Sequence, residues 1–214
     1  MLERFTWYKQ SAYRWRGDDL TVYVDPWGLT GDPEPADVIL LTHAHYDHYS
    51  PDDLGRLRKD GTVMVAPHDV AADLAGNVEA VAPGDTVEAA GVKAHAVPAY
   101  NIAPDRLESH PKANGWVGYL IELDGRSHYF SGDTDDLPEL RELRAQVAFV
   151  CVGGAPYTMG PAEAAGLVQA IGPELAVPNH YGYECGSESQ GEDFRRAAGP
   201  IRVELMRPER PFEM

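Results

Sequence analysis

Apolar and polar positions alternate along the first third of the chain in runs too short for helices. Residues 5–8, 20–24 and 38–42 read as strands: the first two alternate or are β-branched, and Gly-Asp and Asp-Pro pairs bound them. The pattern then changes. Ser50-Pro51-Asp52-Asp53 has the marks of a helix start, with serine as N-cap, proline at the first position and acids in the first turn. That helix is predicted to run through Lys59 and end near Gly61, followed by a short buried strand over 62–66 and a helix near 70–74. The middle is strand-rich, over 86–88, 92–97, 116–123 and 127–130, with turns at Ala90-Gly91 and Asp124-Gly125. The last third alternates, with helices over 138–144, 161–171 and 192–198 leading to strands over 147–152, 175–178 and 201–205. A β-rich part followed by β/α alternation predicts an α/β (α+β) protein of stacked sheets with helices outside. No repeat, low-complexity tract or linker breaks the chain, so residues 1–214 read as one domain.

Charge narrows the function. The formal net charge is −16 on 214 residues. Nucleic-acid affinity rests largely on Lys and Arg neutralising phosphates, so this balance argues against a nucleic-acid partner and against docking to an anionic membrane. The N-terminus shows neither a basic segment nor an apolar one of signal-peptide type, and no apolar run approaches eighteen residues, which makes the cytoplasm the expected compartment. A small-molecule substrate is the expected partner, and a homo-oligomer is compatible with the sequence. Two cysteines cannot form a disulfide framework. Cys151, within an apolar run, reads as a small core residue, and Cys185 as a passive loop thiol.

The dominant chemical signal is Thr42-His43-Ala44-His45-Tyr46-Asp47-His48, directly after an apolar strand. Three imidazoles and a carboxylate so close together are the ligand set of Zn²⁺ and its first-row neighbours. If the strand persists through His45, the His43 and His45 side chains project from one face. Asp47 and His48 then fall in the turn before Ser50 and can serve an adjacent position. The spacing offers two neighbouring cation sites. Asp133 follows a strand through a glycine and His180 ends another after Pro178, settings that expose a ligand-type side chain at a strand end. His68 reads as a capping or surface residue, and His95 and His128 as structural or exposed. Trp15, Trp27 and Trp116 read by default as core.

With these residues in view, the chain resembles the metallo-β-lactamase superfamily, whose signature is His-x-His-x-Asp-His after a strand. Asp25-Pro26-Trp27 resembles the family's early Asp-Pro turn, and Ser131-Gly132-Asp133-Thr134-Asp135 its Gly-Asp-Thr segment. Val177-Pro178-Asn179-His180-Tyr181 resembles its strand-end histidine. Val97-Pro98-Ala99-Tyr100-Asn101, Gly153-Gly154 and Met159-Gly160-Pro161-Ala162-Glu163-Ala164 look like a subgroup related to ascorbate-6-phosphate lactonases. The resemblance implies a four-layer αββα sandwich and one or two bound ions, zinc or alternatively Mn²⁺. It implies a first ion on His43 and His45, a second on Asp47, His48 and His180, and Asp133 bridging them.

One position departs from that pattern. Where much of the superfamily has a third histidine for the first ion, this chain has Tyr100, and a phenol is a poor zinc ligand at neutral pH. His110, Asn101 or water could complete the first site, or the second ion alone binds tightly. The implied chemistry is hydrolysis of a small ester, lactone or phosphodiester by metal-activated water, with Asp47 orienting the nucleophile and passing its proton to the leaving group. A phosphodiesterase or nuclease and a non-catalytic metal-binding protein are the rival readings. The acidic charge weighs against the nuclease, and the bridging acid against a purely structural site.

Overall fold

In the computed structural model, which describes residues 1–212, two six-stranded sheets face each other and carry helices on their outer faces. The first sheet has the order β1-β2-β3-β4-β5-β6: β1 (Phe5–Lys9), β2 (Ala12–Arg16), β3 (Thr21–Val24), β4 (Val38–Leu40), β5 (Val63–Pro67) and β6 (Asn77–Val81). The second has the order β12-β11-β10-β9-β8-β7. Its strands are β7 (Thr86–Ala89), β8 (Val92–Pro98), β9 (Val117–Leu123), β10 (Arg126–Phe130), β11 (Val147–Cys151) and β12 (Leu175–Asn179). In each sheet a run of antiparallel strands passes into a parallel run: β3 to β6 in the first, β10 to β12 in the second. This is the expected αββα sandwich.

The main core lies between the sheets, where the aromatic rings of Trp7, Tyr13, Phe130 and Phe149 meet; Phe130 and Phe149 stack with centroids 4.5 Å apart. A second apolar cluster fills the outer face of the first sheet beneath α1 (Pro51–Leu57) and α2 (His68–Asp73), through Leu54, Leu57 and Val70. α3 (Pro161–Ile171) and α4 (Gln190–Ala197) cover the second sheet with Leu167, Val168 and Phe194. Central parallel strands such as β5 and β11 are buried along their whole length, which is why they read as unbroken apolar runs. β8 shows the other grammar: Val92, Ala94 and Ala96 point in, while Lys93 is exposed and His95 half-buried. Among the described residues, no helix is long and apolar enough to cross a membrane.

Local chemistry sets several boundaries. Ser50 caps α1 as its sequence predicts, its Oγ accepting from the Asp53 backbone N–H at 3.2 Å, but the helix stops at Leu57, short of Lys59. His68 opens α2 as an exposed first residue and makes no cap. The helix expected over 138–144 is a single 3-10 turn, Leu140–Glu142. Leu137 and Leu140 already anchor that segment, and Gln146 must bond back to Ser127 for the chain to enter β11, which leaves room for one turn. The strand expected over 201–205 reduces to one bridge between Val203 and Ala176. The backbone of Ala176 serves Arg202 and Glu204, but the next donor on that edge would be Pro178, which has no N–H. Two strands absent from the sequence reading are present. β2 carries its apolar residues at Tyr13 and Trp15 between arginines, and β6 is an exposed edge strand.

Close approach at Gly118 in β9 ties the sheet to the loop after β10. A Cβ there would stand 2.6 Å from the carbonyl oxygens of both Phe130 and Ser131. Gly118→Ala must therefore push backbone against backbone, and is expected to cost about 2 kcal/mol of stability, read from the denaturant midpoint; an unchanged midpoint would contradict this packing.

Candidate metal centre

The carboxyl ends of strands from both sheets meet along one edge, and every sequence-predicted site residue lies there. β4 stops at Leu40, so the condition that strand geometry persist through His45 is not met. The hexad instead folds into a turn in which the His45 carbonyl accepts from the backbone N–H groups of His48 and Tyr49 at 3.0 and 2.8 Å. The turn converges the rings as a strand would have: His43 Nε2 lies 3.2 Å from His45 Nδ1. Asp133 arrives from the end of β10 and His180 from the end of β12. His180 sits in the left-handed region at φ 55°, its backbone N–H donating to the Gln10 carbonyl at 3.2 Å.

Three interlocking triads result, each with its ligand atoms within 4.8 Å of one another: His43, His45 and His110; His43, His48 and Asp133; and Asp47, His48 and His180. Asp133 joins them, with Oδ2 at 3.1 Å from His180 Nε2 and 3.4 Å from His110 Nε2, and Oδ1 at 3.5 Å from His48 Nε2. Asp47 Oδ2 is 3.2 Å from His180 Nε2 and 3.7 Å from His48 Nε2. All are buried except His45, which is half-buried.

The groups behind these residues fix which atoms face inward. Asp25 is fully buried and accepts from the Thr42 backbone N–H at 2.8 Å, from Thr42 Oγ1 at 2.7 Å and from His48 Nδ1 at 2.7 Å. With Nδ1 committed to Asp25, Nε2 is the His48 nitrogen turned toward the centre. His110 is arranged in the same way, its Nδ1–H donating to Asn101 Oδ1 at 2.8 Å. Asn101 in turn donates to Asp135 at 3.0 Å, so both ends of its amide are engaged and His110 is the group that faces the centre. Asp135 also accepts from the backbone of Ile102 and Ala103 and pairs with Arg106, and so pins the whole loop that carries His110. Tyr100 turns away, donating to Glu139 at 2.7 Å and accepting from Lys112 at 3.0 Å.

Electrostatics complete the picture. Burial, with the nearby His48 charge, holds His43 well below the usual imidazole range, which keeps it a neutral donor. Burial also opposes charge on His48, but the carboxylates of Asp133, Asp47 and Asp25 outweigh it and push His48 up to about 10. Against the same burial, His48 and His180 hold the Asp47 carboxyl well below its usual range, and His180 and His48 do the same for Asp133. The centre thus concentrates negative charge and imidazole around a common point. His48 Nε2, His110 Nε2 and Asp133 Oδ1 are buried without a hydrogen-bond partner among the described residues, although buried polar atoms are normally paired. Three orphaned ligand atoms turned toward one another fit divalent cations, and the donor set of imidazole plus carboxylate suits zinc or its first-row neighbours.

Several residues here carry more than their sequence reading. Trp116 is buried, as core would be, but it walls the centre: its ring lies 5.0 Å from both His43 and His45, and its Nε1–H donates to Asp69 at 2.7 Å. Cys185 is no passive loop thiol, since its buried Sγ lies 3.0 Å from His180 Nδ1. Asp135 stood in the Gly-Asp-Thr-Asp segment without a role. Gln10, in the β1–β2 turn, gave no signal at all, yet its amide nitrogen lies 3.3 Å from Asp47 Oδ2. Above the centre is a cavity of about 260 Å³, floored by Asp47, Asp133 and His180 and bounded by His45, Cys185, Tyr46, Tyr157 and Glu184.

A family model described as the β-lactamase superfamily domain matches residues 4–180. A UPF0173 metal-dependent hydrolase from Methanopyrus kandleri is 32% identical over 94% of each chain. One from Thermococcus onnurineus is 34% identical, covering 90% of this chain and 92% of that one. The crystal structure of a protein from Parabacteroides distasonis, described as a metal-dependent hydrolase, superimposes with a TM-score of 0.86 at 31% identity, covering 96% of this chain and 93% of the other. The metallo hydrolase Igni18 from Ignicoccus hospitalis shares the fold, with a TM-score of 0.76 at 24% identity over 95% of this chain and 94% of that one.

Asp25 is the carboxylate on which the inner arrangement rests. Asp25→Ala is expected to weaken metal binding about 10- to 100-fold, measured by titrating metal-free protein with Zn²⁺. Wild-type affinity in that variant would show that His48 needs no such partner.

Proposed function

The chain belongs to the β-lactamase superfamily, and from that premise we propose that it is a metal-dependent hydrolase of a small ester, lactone or phosphodiester. The observation that carries this reading is the set of three interlocking His/Asp triads with orphaned ligand atoms at the floor of a small cavity. In this reading His43, His45 and His110 hold one ion, Asp47, His48 and His180 hold a second, and Asp133 lies between them. Zinc is the expected metal and Mn²⁺ the alternative. A divalent ion so held supplies acidity, lowering the pKa of a coordinated water toward about 7.

The chain's own residues do the rest. Asp47 stays a carboxylate at neutral pH because His48 and His180 favour its charged form against burial. Its place at the cavity floor makes it the group to take a proton and pass it to a leaving group. His43 stays neutral because burial and the nearby His48 charge disfavour its charged form, so it can donate its lone pair. Trp116 shields the first triad, while Tyr46 and Tyr157, 63% and 41% exposed, stand at the cavity mouth to receive a substrate. A cavity of about 260 Å³ is of small-molecule size, below the usual range for drug-sized ligands. Together with the net charge of −16 it supports a small substrate over a nucleic acid.

A panel of activated esters, lactones, phosphodiesters and thioesters tests the proposal. Turnover of at least one class is expected, abolished by chelation and restored by Zn²⁺ or Mn²⁺. Asp47→Ala should stay folded and lose about 100-fold or more in kcat; full activity after exhaustive chelation, or in Asp47→Ala, would sink the mechanism.

His110→Ala addresses the first triad separately. It is expected to lose about one equivalent of bound metal, with activity partly recovered by excess ion, as suits removal of one of three donors. Two full equivalents in that variant would assign the first ion other partners.

A further inference from the structure

The turn between β1 and β2 brings a side chain into the centre that the triads do not include. Lys9 pairs with Ala12, which leaves Gln10 and Ser11 as the turn. Gln10 lies in the left-handed region at φ 47°, an unusual conformation for a residue with a long side chain. Two hydrogen bonds to its carbonyl hold it there: the Trp7 indole N–H at 2.8 Å and the His180 backbone N–H at 3.2 Å. Its side chain is fully buried and aimed inward.

One terminal atom of the Gln10 amide stands 3.3 Å from Asp47 Oδ2 and 3.4 Å from His180 Nε2. Asp47 Oδ2 and His180 Nε2 are themselves 3.2 Å apart, and Asp47 Oδ2 lies 3.7 Å from His48 Nε2. Donors about 2.0–2.2 Å from a tetrahedral ion stand about 3.3–3.6 Å from one another. The Gln10 terminus therefore stands at donor-to-donor spacing from two of the three residues of that triad, Asp47 and His180. The atom placed there is Nε2, while Oε1 on the far side is buried with no hydrogen-bond partner among the described residues. A nitrogen in an amide has no lone pair for a cation, and its N–H would compete for the one on His180. A half-turn of the amide exchanges its two ends with almost no change of shape. Turned over, the oxygen faces the ion and the orphaned acceptor gains a partner.

We propose that Gln10 is a fourth protein donor of the second metal site, its amide oxygen joining Asp47, His48 and His180. This rests on the reading that those three residues hold an ion. It gives the two sites different characters. With the Asp133 carboxylate standing between the sites, the second then draws on five protein groups, Gln10, Asp47, His48, His180 and Asp133, and the first on four, His43, His45, His110 and Asp133. An amide oxygen is also a harder donor than imidazole and moves the second site toward ions such as Mn²⁺.

The test is isothermal titration of metal-free protein with Zn²⁺, for wild type, Gln10→Ala, Gln10→Met and Gln10→Glu. Methionine keeps the volume of the buried side chain, and glutamate keeps an oxygen donor at the same reach. The expected result is that Gln10→Ala and Gln10→Met weaken one equivalent at least tenfold and leave the other unchanged, while Gln10→Glu retains both. If the amide instead serves Asp47 through its N–H, Gln10→Glu sets a carboxylate against a carboxylate and loses the equivalent as well, which would overturn the proposal. Wild-type binding of both equivalents in Gln10→Met would overturn it too. So would a crystal structure of the zinc-loaded protein in which no ion lies within about 2.5 Å of the Gln10 amide oxygen. The hydrolase reading is judged apart from this: altered binding without turnover of any substrate upholds the ligand and rejects the activity, and turnover with unaltered binding does the reverse.

Discussion

Asp25 is the constraint on which the centre hangs. It sits at the end of β3 in the left-handed region, at φ 44°, and spends both carboxylate oxygens on the segment that follows β4. Through Thr42 it decides where β4 stops, and through His48 it decides which ring nitrogen looks inward. A buried carboxylate with no partner would be costly, so the three bonds it accepts stabilise the chain in one arrangement rather than several. The metal-facing geometry thus follows from the way the fold satisfies a single buried charge.

The same logic of commitment repeats around the site. Four of the five histidines of the centre have their other nitrogen engaged: His43 with Thr42, His48 with Asp25, His110 with Asn101 and His180 with Cys185. These outer contacts set tautomer and ring orientation before any cation arrives. Carboxylates and imidazoles are mixed so that neither sign dominates, which lets a group as buried as Asp133 stay ionised.

Much of this was legible in the sequence because strand-end residues announce themselves. His43, His45, Asp47 and His48 follow an apolar run, Asp133 and His180 each end a strand, and the structure gathers all six at one edge. His110 was legible only by a deficit, the tyrosine at position 100 where a ligand is expected. What stayed hidden depends on distant pairing. Gln10 and Cys185 sit in short turns with no periodicity, and only the juxtaposition of the β1–β2 turn with the end of β12 makes them neighbours of Asp47 and His180. The arginines in β2 masked a strand whose alternate residues, Tyr13 and Trp15, are core. The over-read strand near Val203 shows the converse, an apolar pattern defeated by one proline on the neighbouring strand.

His110 reaches the centre on a loop and not on a strand, and that loop is fastened at its base by Asp135 and Arg106. In the proposed reading, ion binding at the first triad and the holding of residues 101–110 are one equilibrium seen from two ends. Whatever free energy a bound ion draws from His110, it returns as resistance of the loop to opening, and any contact that loosens the loop weakens the ion by the same amount. Tyr157 at the cavity mouth follows Pro156, whose carbonyl accepts from Ser109 of that loop, so the mouth and the loop that carries His110 are fastened to one another.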